Sequence, residues 1–212
     1  MQAARGTSIV ANGDSAATGH RWRLLFAVVA LGGLAIDVIT KLVAVARLDP
    51  NRPVELLGGL LTLRLIRNPG AAFSVGTNFT IVFALLSVAV LAFVLVRLAP
   101  RLGHPGWAVA LGLLCAGVSG NLSDRIFRAP GALRGHVVDF LQLPHWPIFN
   151  VADICIDTAA VLIVVLSIIK NVGIDGVRHA RSRPTAEGAA GADPEPTPDL
   201  EPERARPADP SS

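Results

Sequence analysis

LLFAVVALGGLAIDVITKLVAVA, residues 24–46, is an apolar run long enough to cross a bilayer, which takes about 20 residues. It is broken only by Asp37 and Lys41. Three further runs, 79–96, 107–122 and 148–169, have the same character. Backbone polar groups in hydrocarbon must be satisfied within their own segment, so each run is predicted to be a helix. The expected fold class is an all-α integral membrane protein with four transmembrane helices. A small extracytoplasmic β-rich loop is expected between helices 1 and 2, because 54–66 mixes β-branched and leucine residues around Gly58-Gly59 and alternates in part at Leu61-Thr62-Leu63-Arg64-Leu65.

Composition agrees. The 212 residues are 51% hydrophobic yet contain no tyrosine and few other aromatics, unusual for a soluble core of this size. The net charge is +3, but the basic residues are scattered without interleaved aromatics, which argues against nucleic acid as a partner. Cys115 and Cys155 lie in apolar runs and read as packing residues. Residues 1–20 have no apolar h-region, so no cleaved leader is predicted; they are expected to be a flexible cytoplasmic N-terminus. Residues 21–172 form the expected four-helix membrane domain. Residues 173–212, rich in Pro, Ala, Asp and Glu from Pro184 onward, are expected to be a disordered cytoplasmic tail. Arg97 and Arg101 in the short connection, with the basic residues flanking both termini, place those parts in the cytoplasm and the two long loops outside.

Polar residues inside these runs carry the functional signal. Asp37 and Lys41 are four apart and share a helical face, where they can pair; the plain reading is a structural ion pair near the helix end with a snorkelling lysine. Asn121, Asp124 and Arg125 cluster where the third run ends. Asn150, Asp153 and Asp157 fall on one stripe where the fourth begins, and carboxylates there are expected to face the bundle interior or a wet cavity. Asp139 sits among apolar neighbours in the second long loop. By topology Asp124, Arg125, Asp139, Asn150 and Asp153 can converge.

The sequence has no nucleophile-elbow serine, no His-Glu-x-x-His, no workable Cys-His pair and no glycine-rich phosphate loop. Carboxylates remain. Two close Asp side chains share a proton, so one serves as base and the other as acid, with no cofactor or metal expected. Intramembrane Asp and Arg also mark ion pathways, so a small transporter or proton relay is the alternative class.

Five motifs in order resemble the signal peptidase II family, the lipoprotein signal peptidases: Asp37-Val38-Ile39-Thr40-Lys41, Arg67-Asn68-Pro69-Gly70-Ala71-Ala72-Phe73-Ser74, Gly120-Asn121-Leu122-Ser123-Asp124-Arg125, Val137-Val138-Asp139-Phe140 and Phe149-Asn150-Val151-Ala152-Asp153. The resemblance implies an aspartic endopeptidase that removes signal peptides from diacylglyceryl-modified prolipoproteins, cleaving before the lipid-modified cysteine. It implies Asp139 and Asp153 as the catalytic pair, with Asp124 as the rival. Asn68, Asn121, Arg125 and Asn150 would line the substrate site, and Asp37, Lys41 and Asp124 would support the architecture. Partners would be prolipoproteins and membrane lipid, at the outer face of a bacterial cytoplasmic membrane. Val38 stands where Gln is usual, Cys155 where Ser is more common, and the loop between Asp139 and Asp153 is short. Asp157 and the acidic tail receive no role.

Overall fold

The computed structural model of the chain describes residues 10–70 and 80–177, with side chains on the first helix from residue 19. Residues 71–74 of the second motif, and 1–9 and 178–212 of the two expected flexible ends, lie outside the described residues. The described residues form four long helices: α1 (Val10–Arg47), α2 (Thr80–Phe93, continued by wider and tighter turns to Arg101), α3 (Pro105–Phe127) and α4 (Val151–Val164, continued to Ile169). Residues 10–20 thus belong to the first helix, whose membrane-length part is Gly19–Arg47.

The third helix is longer than its apolar run predicts, for a local reason at each end. Pro105 occupies the first turn and the His104 imidazole accepts from Gly106 N, a favourable start. At the far end the polar stretch Asn121 to Arg125 stays helical because its side chains find partners inside the protein. Along α3 the buried residues are mostly small, including Ala108, Ala110, Gly112, Ala116, Gly117 and Gly120. Small residues let backbones approach closely, so α3 becomes the centre against which α1, α4 and α2 pack. The most apolar window of α3 is 67% buried, against 17%, 11% and 22% for the other three, which therefore turn their leucine, valine and isoleucine faces to lipid. At the end of the bundle remote from the long loops, Phe26, Val94, Leu102, Trp107, Leu111 and Leu166 form an apolar core. There Trp107 Nε1 donates to Val172 O at 2.9 Å and Gly103 N to Ile174 O at 2.9 Å, docking the segment after α4.

The two long loops meet in one antiparallel sheet of order β1-β2-β3: β1 (Val54–Leu56), β2 (Leu61–Asn68) and β3 (Val137–Gln142). The β-rich element therefore draws on both loops, where the sequence predicted only the first. Val137-Val138-Asp139-Phe140 is buried throughout and lacks the apolar-polar alternation that marks a half-exposed strand. Pairing sets Asn68 opposite Val137 and Ile66 opposite Asp139. Ala44, Leu65, Val138 and Phe140 form a second small core between α1 and the sheet. After β3 the chain folds back so that Phe149 bonds both ways with Leu141 at 2.9 Å, delivering Asn150 to the start of α4.

The neighbouring glycines of α1 test this packing. A Cβ at Gly33 would lie 2.7 Å from Ala116 Cβ, whereas at Gly32 nothing lies within 4 Å. Gly33→Leu should destabilise the protein by about 1–3 kcal/mol through overpacking, and Gly32→Leu should stay within about 0.5 kcal/mol of the parent. Melting in detergent reads both, and equal melting of the two variants would refute a close α1 to α3 approach.

Candidate active site

Five elements bring polar groups to one end of the bundle: the last turns of α1, the end of β2, the C-terminal turns of α3, β3 and the first turn of α4. Their centre is Lys41, whose side chain is 1% exposed. Its ammonium lies 2.9 Å from Asp37 Oδ2 and 3.0 Å from Asp124 Oδ2, and donates to Asn121 Oδ1 at 3.0 Å. The i,i+4 partner was legible in the sequence; the two on α3 were not. Lys41 does not snorkel.

Both carboxylates beside Lys41 have further partners. Asp37 Oδ1 accepts from Ala152 N at 2.8 Å, tying α1 to the first turn of α4. A Cβ at Gly120 would collide with the Asp37 carboxylate, so only glycine leaves room for it. Asp124 pairs with Arg128 one turn on, and its Oδ2 accepts from Val138 N at 3.2 Å. Two carboxylates and two cations thus balance in a largely buried cluster, as burial of charge requires. Asp124, the rival for the catalytic pair, is committed to this junction and anchors β3.

Among the described residues, no cation is bonded directly to the second carboxylate pair. Asp139 Oδ1 accepts from Asn150 Nδ2 at 2.6 Å and its Oδ2 from Asn68 Nδ2 at 2.9 Å. Asp153 Oδ1 accepts from Asn121 Nδ2 at 2.8 Å and its Oδ2 from Asn150 N at 3.1 Å. Asn150 Oδ1 accepts in return from Asp153 N at 3.1 Å, so these two residues form a reciprocal cap that starts α4. Asn150 Nδ2 also reaches Asn121 Oδ1 at 3.2 Å, linking the two halves.

The orientation of each amide follows from partners that can only donate. Lys41 Nζ occupies Asn121 Oδ1, Asp153 N occupies Asn150 Oδ1, and Gly70 N occupies Asn68 Oδ1 at 2.9 Å. Each NH₂ must then face a carboxylate. The three asparagines expected to line a substrate site thus hold Asp139 and Asp153 in place. Burial pushes the Asp139 carboxyl up to about 6; the nearby Asp153 charge adds to this, while the amides of Asn68 and Asn150 and the charge of Lys41 oppose it.

Arg125 Nη1 donates to Asn121 O at 3.0 Å, and the guanidinium lies over the Phe83 ring at 5.8 Å. Its Nε is buried with no hydrogen-bond partner among the described residues. Phe83 and Arg128 escaped the sequence reading: Phe83 looks like any apolar span residue, whereas the i,i+4 spacing of Arg128 from Asp124 was an available signal. Asp157, one turn beyond Asp153, is exposed on α4 and does not join the cluster; of the two expected placements, the bundle interior or a wet cavity, the first does not hold for it. Its stripe with Asp153 is real, but α4 packs only near its start on that side. Among the described residues, no three His, Cys, Asp or Glu side chains group so as to hold a metal ion.

The family described as Signal peptidase (SPase) II matches residues 29–169. A lipoprotein signal peptidase of Rhodococcus jostii (strain RHA1) is 50% identical over 159 residues, covering 75% of this chain and 79% of that protein. One from Streptomyces coelicolor is 46% identical over 160 residues, covering 76% and 77%. A solved bacterial membrane enzyme, determined by the in meso method at 2.3 Å resolution, superposes with a TM-score of 0.59 at 26% identity, covering 68% of this chain and 87% of that one.

The geometry ranks the cations. Lys41→Met leaves Asp37 and Asp124 buried beside no ammonium and should cost about 3–5 kcal/mol. Arg128, 20% exposed, is partly solvated, and Arg128→Met should cost about 1 kcal/mol. Melting temperatures in detergent compare them; an equal or reversed order would remove Lys41 from the centre of the cluster.

Proposed function

The chain belongs to the signal peptidase II family and removes signal peptides from prolipoproteins, and from that premise we propose that its chemistry is aspartic and is carried by Asp139 and Asp153. The observation that supports this most is the hydrogen-bonded bridge of Asn121 and Asn150 between the two carboxylates, together with the raised Asp139 carboxyl. Paired acids whose environments differ divide naturally into an acid and a base.

Asp153 acts as the general base. It takes a proton from water as the oxygen attacks the scissile carbonyl, while protonated Asp139 gives its proton to the carbonyl oxygen. Collapse of the resulting gem-diol breaks the C–N bond. The leaving amine takes the proton held on Asp153 and Asp139 recovers its own from the diol, so the pair returns to its starting state. The Arg125 Nε–H, buried and without a hydrogen-bond partner among the described residues, is a donor available to a substrate carbonyl. Asn68, Asn121 and Asn150 keep the carboxylates aimed at the same point. The bond cleaved is the one before a diacylglyceryl-modified cysteine, and the site faces outward with both termini in the cytoplasm, by the distribution of basic residues. A transport pathway is not favoured, since the opposite end of the bundle is closed by the apolar core around Phe26, Val94 and Leu111.

Asp139→Asn and Asp153→Asn should each abolish cleavage of a lipidated prolipoprotein while the protein still inserts and melts cooperatively. Substantial turnover by either would move the chemistry elsewhere. In the parent, the useful protonated fraction of Asp139 falls as pH rises past about 6, so kcat/KM should fall roughly tenfold per pH unit above that point. A rate flat from pH 5 to 8 would contradict the assignment of acid and base. A reporter inserted between α2 and α3 should read cytoplasmic and one near Arg52 external; the reverse pattern would overturn the orientation.

A further inference from the structure

Behind the strand that carries Asp139 lies a slot of about 280 Å³ between the outer turns of α1 and the sheet. Ile39, Val43, Ala44, Leu63, Phe140 and the stem of Arg47 line it. Its accessible walls are apolar, so Arg47 contributes its aliphatic stem to them. The Thr40 hydroxyl, also in the wall, is turned back on its helix and donates to Ile36 O at 2.8 Å. Ile39 and Val43 are 59% and 55% exposed within a membrane-length helix, so the slot opens toward lipid and not toward water.

A dry, lipid-facing recess of this size is at the lower end of small-ligand pockets and takes a hydrocarbon chain. Its position gives the chain a polar end. Arg47 closes α1 where the span leaves the hydrocarbon, is exposed, and makes no ion pair among the described residues. The one acid in the turn that follows, Asp49, accepts from Asn51 N at 2.9 Å. An apolar slot under an unpaired surface cation matches an anionic phospholipid, with an acyl chain inside and the phosphate at the guanidinium. The diacylglyceryl group of the substrate is a poorer fit. Successive side chains on a strand point to opposite faces, so Phe140 walls the slot while Asp139 faces the amide network, and the strand lies between slot and scissile bond. We propose that this slot binds one acyl chain of an anionic bilayer phospholipid whose headgroup rests on Arg47.

The test uses the full chain in a neutral detergent, mixed with equal amounts of phosphatidylglycerol and phosphatidylcholine of identical chains and read by native mass spectrometry. The parent should retain one phospholipid, with about a fivefold preference for phosphatidylglycerol, the scale of one surface cation. Arg47→Gln should bind without preference, and Val43→Trp, which fills the slot from its exposed rim, should lose most binding of both lipids. Ile39→Trp fills the same space if Val43→Trp does not fold. Retention unchanged in a folded tryptophan variant, or a preference unchanged in Arg47→Gln, would overturn the proposal. So would one-for-one displacement of the phospholipid by a diacylglyceryl-cysteine peptide, which would make the slot a substrate site.

Discussion

A lysine ammonium buried at the end of a membrane bundle must be neutralised and hydrogen-bonded, and the rest of this structure is arranged around that requirement. Lys41 meets it with Asp37 from its own helix and with Asp124 and Asn121 from α3. Removing an ion from water costs several kcal/mol, so the cluster holds together only if every member keeps its partners. Asp37 reaches the first turn of α4, and Asp124 reaches β3. One buried charge thereby ties together the elements that carry the proposed catalytic carboxylates.

From Lys41 the direction of hydrogen bonding is imposed on the amides. An asparagine amide is ambiguous by shape, but an oxygen committed to a donor leaves its nitrogen to face an acceptor. That logic runs from Lys41 through Asn121 to Asp153, and from the backbone of Asp153 through Asn150 to Asp139. Among the described residues, amides and not cations bond both carboxylates. A cation bonded to Asp139 would hold its carboxyl low, whereas amides leave burial to dominate and push it up to about 6. Separating the charge cluster from the amide-held pair is what allows one end of a bundle to contain both a rigid anchor and a group able to give up and recover a proton near neutrality.

Packing provides the platform. In lipid there is no hydrophobic gain from helix association, so close contact through small residues must serve instead. The glycine and alanine faces of α3 admit α1 and α4 closely enough for Asp37 to pass over Gly120 and reach Ala152. A larger residue at Gly120 would displace the carboxylate itself. The helix that looks least like a span by hydropathy is the one on which the site is assembled, because its polar turns are satisfied by neighbours and not by solvent.

Local pattern was sufficient for much of this. The length of each apolar run determines the four helices, and the i,i+4 spacing of Asp37 and Lys41 determines a pairing that closes within one turn; the same local geometry allows the Asn150 to Asp153 cap that the structure shows. Those interactions depend only on helical geometry, which the chain carries in its residue order. The resemblance in five motifs pointed to the family that the comparisons then showed. Tertiary structure alone decided the rest. It paired β3 with β2, bringing Asn68 onto Asp139 across 71 positions, and it turned Lys41 toward α3. It also drew Asp124 into the ion cluster and left Asp157 outside on the exposed face of α4. Asp124, Asp139, Asp153 and Asp157 are the same residue type in similar apolar surroundings. What separates them is which neighbour reaches each oxygen, and that depends on how helices and strands distant in the chain are packed together.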